Sequence, residues 1–282
     1  MERSKPVVPG EGLAPAIGQQ VFGIDVKCVI LAGGRGTRIN EESYLRPKPM
    51  IEIGSQPILW HIMKQYSHHG VDDFVICLGY RGYMIKEYFA NYLLHRSDVT
   101  VDLGANEVIY HNHRSEPWRV TLVDTGDSTH TGGRVLRVRE HLDAGEPFFV
   151  TYGDGVANID ITAQLAFHKQ HGRLATMTVV RPPARFGSAT VKGDRVVEFV
   201  EKAQASEGLI NGGFFVFSPG ALDAIDGDDT PLETTPLERL VARDELRAWR
   251  HEGFWQPMDT LREKELLEAI WARGNAPWKV WR

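Results

Sequence analysis

A glycine-rich turn with two cations close behind it is the strongest chemical signal in this sequence. The turn spans Leu31–Arg38, reads LAGGRGTR and follows an apolar run, and Lys48 comes shortly afterwards within the segment RPKP. Glycines let backbone N–H groups approach a polyphosphate, while Arg38 and Lys48 supply fixed positive charge. The spacing matches neither the dinucleotide motif G-x-G-x-x-G nor a Walker loop, which needs Gly-Lys-Ser/Thr. A tight turn without a ligand is the alternative, and the two cations favour a phosphate site.

Two aspartates occupy positions that allow more than one role. Asp154 stands between two glycines after an apolar run that ends at Tyr152, where a strand of an open α/β sheet would deliver it to the ligand-binding crevice. Asp259 lies about a hundred residues further along the chain, just before a helical segment. Each aspartate has a structural alternative: a turn for the first, and a helix N-cap, made by Asp259 or Thr260, for the second.

The elements that must position these residues are strands and helices in alternation. Apolar runs of strand length and amphipathic helical segments follow one another from Val26 to Val180. This alternation predicts an α/β fold with a Rossmann-like, mixed but mainly parallel sheet, flanked by helices and built from buried strands. The predicted strands lie at 29–32, 74–78, 99–103, 108–111, 120–123, 148–152 and 175–180, and the predicted helices at 57–70, about 84–94 and 161–171.

The second half of the chain has a different pattern. Beyond Pro182 come a hairpin, further strands and a terminal helix at about 260–273, which indicates a smaller, sheet-rich lobe. The aromatic-rich tail around Trp278 and Trp281 is expected to serve the core or a subunit interface, and it predicts a homo-oligomer. We therefore expect three segments: a flexible extension at 1–25, a core at about 26–180, and the smaller lobe with the C-terminal part at about 181–282.

Composition narrows the possible classes of function. The chain has 282 residues, 42% of them apolar, and is large enough to bury its own core. A net charge of −5 argues against a general nucleic-acid binder, which needs a basic surface. No apolar run reaches the roughly 18 residues of a membrane span, and the start lacks a signal-peptide pattern. Cys28 and Cys77 lie in apolar runs, as reduced core residues do. These features predict a cytoplasmic protein without nucleic-acid or membrane partners.

The glycine-rich turn and the RPKP segment together resemble the signature of the sugar nucleotidyltransferases, also called nucleoside diphosphate sugar pyrophosphorylases. The resemblance runs from about Val26 to the C-terminus, and the branch of the family that uses CTP is the most similar. The blocks that carry this likeness lie at 48–54, 57–64, 121–127, 151–155 and 253–260.

The resemblance implies a reaction. A cytidylyl group would pass from CTP to a hexose 1-phosphate, with glucose 1-phosphate the first choice, and pyrophosphate would be released. The alternatives are the same chemistry with UTP or dTTP, and a regulatory homologue that binds nucleotide without turnover. A glycosyltransferase with a related sheet would not need the glycine-rich turn or the RPKP segment.

The resemblance also implies roles for individual residues. Asp154 and Asp259 would together hold one Mg²⁺. Arg38 and Lys48 would neutralise the triphosphate and Lys202 would steer the sugar phosphate, so these three cations form the expected catalytic set. Catalysis would then come from positioning of the substrates and neutralisation of their charge, and no covalent enzyme intermediate is expected.

Separate groups of residues would bind the two substrates. Arg134 is included as a cation that could touch the base or a phosphate. Ala203 departs from the family pattern, in which a proline usually follows the lysine that corresponds to Lys202. Without that proline, the loop after Lys202 is expected to be less rigid. The nucleotide group contains Leu31, Gly33, Gly34, Gly36, Thr37, Arg38, Lys48, Gly79, Tyr80, Gly126, Asp127 and Arg134. The sugar-phosphate group contains Glu201, Lys202, Asn211 and Gly212.

Overall fold

A computed structural model describes residues 26–36, 45–112, 115–182, 188–192, 194–200 and 208–282. The extension at 1–25 lies outside this part of the chain. So do Ala203 and the predicted site residues Thr37, Arg38, Glu201 and Lys202.

The strands within the described ranges are β1 (Cys28–Leu31), β2 (Glu52–Ile53), β3 (Gln56–Pro57), β4 (Asp73–Leu78), β5 (Asp98–Asp102), β6 (Glu107–His111), β7 (Arg119–Asp124), β8 (Phe148–Tyr152), β9 (Gly155–Ala157), β10 (Ala175–Val180), β11 (Ser188–Lys192), β12 (Arg195–Val200), β13 (Ile210–Phe217), β14 (Leu246–His251) and β15 (Trp255–Pro257). The α-helices are α1 (Ile58–His68), α2 (Gly82–Ala90), α3 (Tyr92–Arg96), α4 (Thr131–Arg137), α5 (Ile161–His171), α6 (Thr235–Ala242) and α7 (Leu261–Ala272). Short 3₁₀ helices occupy Lys48–Met50, Arg139–His141 and Pro219–Ala224. None of the helices in these ranges combines the length and the apolar character that a membrane span requires.

A seven-stranded sheet with the order β14-β10-β13-β8-β1-β4-β7 forms the centre of the structure. Its pairings are parallel except on either side of β13, which runs against both β10 and β8. The other strands of the sheet therefore point in one direction, and their carboxyl ends meet at one edge, which we call the carboxyl edge. The predicted fold class, a mixed and mainly parallel sheet flanked by helices, is confirmed.

Both faces of this sheet are buried, because alternate residues of its central strands belong to two separate cores. In β1, Cys28 and Ile30 lie in one core, whereas Val29 and Leu31 lie in the other. Helices α1, α5 and α7 contribute to the first core, and α4 and α6 contribute to the second. Burial on both faces explains why these strands read in the sequence as continuous apolar runs.

The direction of strand addition changes at β1. This strand pairs with β4 on one side and with β8 on the other. Turns that leave two such strands separate in opposite directions and open a crevice between them. Because β13 runs the opposite way, it begins at the carboxyl edge, so the residues that follow β1, β4, β7 and β8 all lie at the same edge as the start of β13.

Two strands that the sequence predicted to be buried are exposed. Within the described chain β5 and β6 pair with each other outside the central sheet, with Val99 opposite Tyr110 and Val101 opposite Val108. Every residue of both strands is exposed. The prediction of burial was wrong because these strands form a separate ribbon and do not join the central sheet. Val99, Val101, Val108 and Tyr110 share one face of this ribbon, and Ile109 lies opposite Thr100 on the other face.

The helix predicted at about 84–94 is also divided in two. Helix α2 ends before Asn91, and α3 begins after it. The Asn91 side chain donates a hydrogen bond to the carbonyl of Glu87 at 2.9 Å. A short polar side chain that bonds to the preceding turn favours the end of a helix over its continuation.

The C-terminal tail packs against its own chain. Trp278 is fully buried, stacks with Trp271, and donates from Nε1 to Nδ1 of His61 at 3.3 Å. Trp281 meets Trp60 edge-on. These contacts confirm the core role for the tail. They also remove the basis on which the aromatic-rich tail predicted a homo-oligomer.

The two cysteines are structural. Cys28 and Cys77 are both buried and form no disulfide bond. Burial raises the pKa of the Cys77 thiol to about 12, so it stays protonated and unreactive at neutral pH. The expectation of reduced core cysteines is confirmed.

Candidate active site

Three charged residues meet at the carboxyl edge. Nζ of Lys48 lies 2.6 Å from Oδ2 of Asp154 and 2.6 Å from Oδ1 of Asp259. The lysine is buried, whereas both aspartates are partly exposed to the crevice. Two carboxylates that converge on one ammonium group mark a position where a cation is stabilised.

A small ribbon of two strands brings the aspartates together. Strand β9 follows Asp154 and strand β15 precedes Asp259, and the two strands pair antiparallel with Gly155 opposite Pro257. Just beyond this pair, the N–H of Met258 donates to the carbonyl of Asp154 at 2.8 Å. The register of the ribbon therefore sets the two carboxylates side by side, although they are far apart in the sequence.

The helix that follows Asp259 is capped by the next residue. Thr260 is the N-cap of α7: its hydroxyl accepts from the Glu263 N–H at 3.3 Å, and the Glu263 carboxylate accepts from the Thr260 N–H at 3.0 Å. Of the two residues that the sequence offered for this cap, Thr260 is the one used. The Asp259 carboxylate is directed to Lys48 instead.

The turn that carries Lys48 packs closely on the end of β8. Pro49 belongs to this 3₁₀ turn, and a Cβ added to Gly153 would lie 3.0 Å from its Cγ. The same Cβ would lie 3.0 Å from the carbonyl oxygen of Leu31, which accepts from the Gly153 N–H at 3.0 Å. Glycine at position 153 therefore lets the lysine turn approach the strand end, so that Lys48 reaches Asp154.

Opposing effects act on the pKa of Lys48. Burial by itself would lower it, but the charges and hydrogen bonds of Asp154 and Asp259 outweigh burial, and the pKa is raised overall. The ammonium group therefore stays protonated at neutral pH, and it neutralises part of the charge of the two aspartates.

The described part of the glycine-rich turn rests on the turn that follows β4. The carbonyl of Gly33 accepts from the N–H of Tyr80 at 3.2 Å, so these two predicted nucleotide residues are neighbours. Gly79 also packs against the carbonyl oxygen of Gly33, since a Cβ at position 79 would lie only 2.6 Å from that oxygen. Gly34 is exposed, and Gly36 adopts a left-handed φ of 61°. The structure thus brings the first two predicted nucleotide segments together.

The third predicted nucleotide segment follows β7 at the same edge. Gly126 has a φ of 82°, a conformation that favours glycine, and its N–H donates to Oδ1 of Asp124 at 3.0 Å. Asp127 is exposed. Arg134 lies beneath these turns and is buried, whereas the sequence suggested a cation that could touch the base or a phosphate.

The described residues of the sugar-phosphate group lie at the start of β13. Oδ1 of Asn211 accepts from the Gly213 N–H at 2.8 Å, and the carbonyl of Gly212 accepts from Nε1 of Trp255 at 2.7 Å. Trp255 belongs to β15, so this hydrogen bond ties the sugar-phosphate group to the ribbon that holds Asp259. The structure therefore brings Asn211 and Gly212 to the same crevice as the aspartates.

Tyr152 and Glu233 lie beside the site and were not predicted from the sequence. The Tyr152 hydroxyl donates to the Glu233 carboxylate, which also accepts from the hydroxyl of Thr131 at 2.7 Å. Burial, followed by the charge of Glu233, raises the pKa of Tyr152. The position of the tyrosine two residues before Asp154 was a signal that could have identified it, whereas nothing in the sequence around Glu233 could have done so.

The donor set fits a hard divalent cation. The carboxylates of Asp154 and Asp259 converge on one position, and carboxylate oxygens are the ligands that such ions prefer. No group of three or more His, Cys, Asp or Glu side chains in the described ranges could hold a metal by itself. Phosphate oxygens and water would therefore have to complete the coordination, which is typical of a metal ion that binds together with a nucleotide.

Comparison with known proteins gives several strong sequence matches. The family model described as Nucleotidyl transferase matches residues 27–256. Glucose-1-phosphate cytidylyltransferase of Salmonella typhimurium is 57% identical over 256 residues, covering 91% of this chain and 100% of the relative. The catalytic subunit beta of mannose-1-phosphate guanylyltransferase of Dictyostelium discoideum is 30% identical over 250 residues, covering 87% of this chain and 64% of the relative.

Solved structures give a match at the level of the fold. The crystal structure of HddC from Yersinia pseudotuberculosis aligns with a TM-score of 0.63 at 21% sequence identity. The alignment covers 87% of this chain and 99% of that one. The likeness at this identity concerns the fold.

Proposed function

The chain belongs to the nucleotidyl transferase family, and we propose on this basis that it transfers the cytidylyl group of CTP to the phosphate of α-D-glucose 1-phosphate. The products are CDP-glucose and pyrophosphate. The observation that carries the proposal is the convergence of Lys48, Asp154 and Asp259 at the carboxyl edge, where transfer of a nucleotidyl group needs positive charge and metal ligands. The relative from Salmonella typhimurium, aligned over its full length, supports the choice of both substrates.

The proposed reaction is a single displacement at phosphorus. A phosphate oxygen of glucose 1-phosphate attacks the α-phosphorus of CTP and forms a new P–O bond. The bond between the α-phosphorus and the oxygen that bridges to the β-phosphate breaks, and its electron pair leaves with pyrophosphate. The attacking phosphate is already an anion at neutral pH, so no general base is needed. Catalysis then depends on positioning and on neutralisation of charge.

The cations of the chain divide between the two substrates. Lys48 and Arg38 serve the triphosphate, and the N–H groups of the glycine-rich turn approach its oxygens. Lys202 holds the phosphate of the sugar. Glu201 accepts hydrogen bonds from the sugar hydroxyls, and Asn211 assists in binding the sugar or the ribose. Retention of Lys48 together with both aspartates argues for turnover, because a protein that only binds nucleotide could lose them.

Mg²⁺ is the metal that we assign to Asp154 and Asp259. Nucleotidyl transferases of this family generally use a divalent metal ion. When bound at these carboxylates, Mg²⁺ would neutralise charge on the phosphates. Lys48 contacts both carboxylates and so orients them toward one cation position.

A preference for cytosine follows from the edge that the base presents. Cytosine offers an amino donor at the position where uracil and thymine offer a carbonyl acceptor. Backbone carbonyls in the turns at Gly79–Tyr80 and Gly126–Asp127 are the acceptors that we assign to it. An acceptor that faces another acceptor stays unpaired at a cost of about 1–3 kcal/mol, so we expect CTP to be preferred by roughly ten- to a hundredfold.

A homo-oligomer in the cytoplasm is the form that we propose. One face of the β5–β6 hairpin carries Val99, Val101, Val108 and Tyr110, which are between 36% and 52% exposed. A two-stranded hairpin is marginally stable alone, and an exposed apolar face indicates a protein interface. The two buried, unpaired cysteines are consistent with a reducing compartment.

A matrix of nucleotides and sugar phosphates tests the proposal. Release of pyrophosphate is measured for the purified protein with CTP, UTP or dTTP and saturating glucose 1-phosphate. We expect the highest kcat/KM for CTP. Equal values for CTP and UTP, or a preference for dTTP, would overturn the cytidylyl assignment and leave nucleotidyl transfer standing. No pyrophosphate with any pair would instead support a regulatory homologue.

A further inference from the structure

Arg134 lies at the point where three turns of the carboxyl edge meet. Its side chain is only 4% exposed, although it belongs to the short helix α4 outside the sheet. The guanidinium donates to the carbonyl of Leu78 at 3.0 Å, to the hydroxyl of Thr125 at 2.8 Å and to the carbonyl of Gly33 at 3.1 Å. These acceptors follow or end β1, β4 and β7, so one planar group connects all three turns.

The turns leave room for the guanidinium because two of their residues lack a side chain. A Cβ added to Gly33 would overlap Nη1 of Arg134, and a Cβ added to Gly79 would lie 2.6 Å from the same atom. Either contact is shorter than nonbonded atoms tolerate. The two glycines therefore have a packing reason, and at Gly33 it adds to the approach to a polyphosphate that the sequence predicted for the glycine-rich turn.

The charge of Arg134 is buried among neutral acceptors. Its hydrogen bonds within the described residues go to three backbone carbonyls and one hydroxyl, including the carbonyl of Asp127 at 3.5 Å. A buried cation without a hydrogen-bonded carboxylate is unfavourable for folding. It is favourable beside a polyanion, since a positive charge in a site of low dielectric attracts phosphate strongly.

The hydrogen bonds of Arg134 also orient the peptide groups that follow the strands. In a planar trans peptide the C=O and the N–H point in opposite directions. The carbonyls of Gly33 and Leu78 point at the guanidinium, so the N–H groups of Gly34 and Gly79 point away from it. Gly34 is exposed at the crevice, where a phosphate oxygen could accept its N–H.

We propose that Arg134 is a positioning residue for the nucleotide. It fixes the turns after β1, β4 and β7 so that the N–H groups of Gly34 and Gly79 face the ligand, and it places a buried positive charge beneath the triphosphate without touching the base. This inference rests on the proposed use of CTP. It differs from the contact with base or phosphate that the sequence suggested, because a residue that acts from beneath the turns affects every nucleoside triphosphate alike.

Binding of CTP and UTP by Arg134→Gln tests the inference, measured by titration calorimetry with MgCl₂ so that the result does not depend on turnover. We expect the Kd of both nucleotides to rise by the same factor of about thirty, as for the loss of charged hydrogen bonds. Arg134→Lys keeps the charge but lacks the planar fork, and we expect it to bind CTP at most about threefold better than Arg134→Gln. Affinity for glucose 1-phosphate should stay unchanged.

Arg137→Gln is the matched control. Arg137 lies one turn further along α4 and donates to the carbonyl of Thr125 at 3.2 Å, but it is exposed and pairs with Asp228. We expect its Kd for CTP to stay within about twofold of the wild-type value, because exposed pairs contribute little. Thr125→Val is the second test if Arg134→Gln does not fold. It removes one acceptor of Arg134 together with the hydrogen bond of the same hydroxyl to the carbonyl of Leu78, and it should weaken the binding of both nucleotides equally.

The outcomes separate this inference from the proposed function. Unchanged CTP binding in Arg134→Gln or, where that variant does not fold, in Thr125→Val would overturn the positioning role. So would a shift in the ratio of CTP to UTP affinity, which indicates direct contact with the base, or full recovery in Arg134→Lys. Wild-type protein that binds neither nucleotide would overturn the proposed function itself.

Discussion

Lys48 contacts both aspartates of the candidate active site, with 2.6 Å between its Nζ and each carboxylate. It neutralises part of a pair of like charges that would otherwise repel each other. The same ammonium group is the cation assigned to the triphosphate. Its removal should therefore change the stability of the free protein as well as the reaction, and the two effects can be measured separately.

We expect Lys48→Ala to lower the stability of the protein without metal by about 1–3 kcal/mol, because Asp154 and Asp259 lose their shared partner. Saturating Mg²⁺ should then raise the Tm of the variant more than that of the wild type, since the metal and the lysine neutralise the same carboxylates. Scanning fluorimetry with and without MgCl₂ measures both effects.

Lys64→Ala is the control for this prediction. Its ammonium group pairs with Glu116 at 2.7 Å, and both side chains are largely buried away from the aspartates. This variant should lose stability without a larger response to Mg²⁺. Equal responses to Mg²⁺ in the wild type and in Lys48→Ala would contradict a shared cation position.

Some residues of the candidate active site could be identified from the sequence, but their surroundings could not. The resemblance paired Asp154 with Asp259, and the structure brings both to one lysine. Arg134 was recognised as a cation near the nucleotide segments, but its depth depends on packing among turns that are distant in the sequence. No local pattern encodes such packing, and the assigned roles of all these residues stay predictions.

Among the elements, the β5–β6 hairpin makes the most specific prediction. We expect Val101→Asp to shift the protein to a smaller oligomer at micromolar concentration, because it places a charge on the apolar face of the hairpin. Light scattering coupled to size-exclusion chromatography measures the mass. Thr100→Asp, on the opposite face of the same strand, should keep the wild-type mass. A monomeric wild type, or the same mass for both variants, would end the proposal.

Two helices carry buried histidines that make stability depend on pH. His61 in α1 bonds to the carbonyl of Ile53 at 2.8 Å and accepts from Trp278, so a second ring proton would face an N–H donor. His168 in α5 is enclosed by hydroxyl groups. Burial lowers the pKa of each to about 4.

The folded protein therefore binds fewer protons at these histidines than the unfolded chain, in which the pKa is about 6.5. The stability that they contribute is complete above about pH 6.5 and is lost as the pH falls toward 4, by about 2 kcal/mol for each histidine between pH 7 and 5. Urea unfolding at pH 7, 6 and 5 measures this loss. His168→Gln should flatten the profile, whereas His95→Gln, at an exposed position in α3, should leave it as in the wild type. A profile unchanged by His168→Gln would disprove the account.

Helices and strands were predicted correctly where their sequences are long enough to show a clear pattern of apolar and capping residues. Helix α5 lies at the predicted bounds, because its apolar positions are bounded by Asp160 at the N-cap and Gly172 at the C-cap. The ribbon of β9 and β15 was not predicted, since strands of three residues are too short to show alternation. The hairpin was misplaced because burial depends on whether a further strand pairs with it, and the sequence of two strands does not contain that information.

At the scale of the whole molecule, the two halves of the chain share one sheet. Strands β13 and β14 come from the second half and complete the sheet that β1, β4 and β8 begin. The sequence predicted the class of this sheet, because apolar runs alternate with helices. It could not give the strand order or the reversal of β13, which depend on contacts between distant segments. The boundary proposed near residue 180 stays a prediction.

Cytidylyl transfer at the paired aspartates is tested by measuring the formation of CDP-glucose by the wild type, Asp154→Asn and Asp259→Asn. CTP, glucose 1-phosphate and MgCl₂ are supplied, and CDP-glucose and pyrophosphate are measured in the same samples. We predict equal amounts of the two products from the wild type. Each variant should be slower by a factor of roughly a thousand or more, because it removes one charged metal ligand. It should stay folded, because the substitution keeps the side-chain volume. Near-normal rates in both folded variants would contradict the metal-binding role of the aspartates, and no CDP-glucose from the wild type would contradict cytidylyl transfer itself.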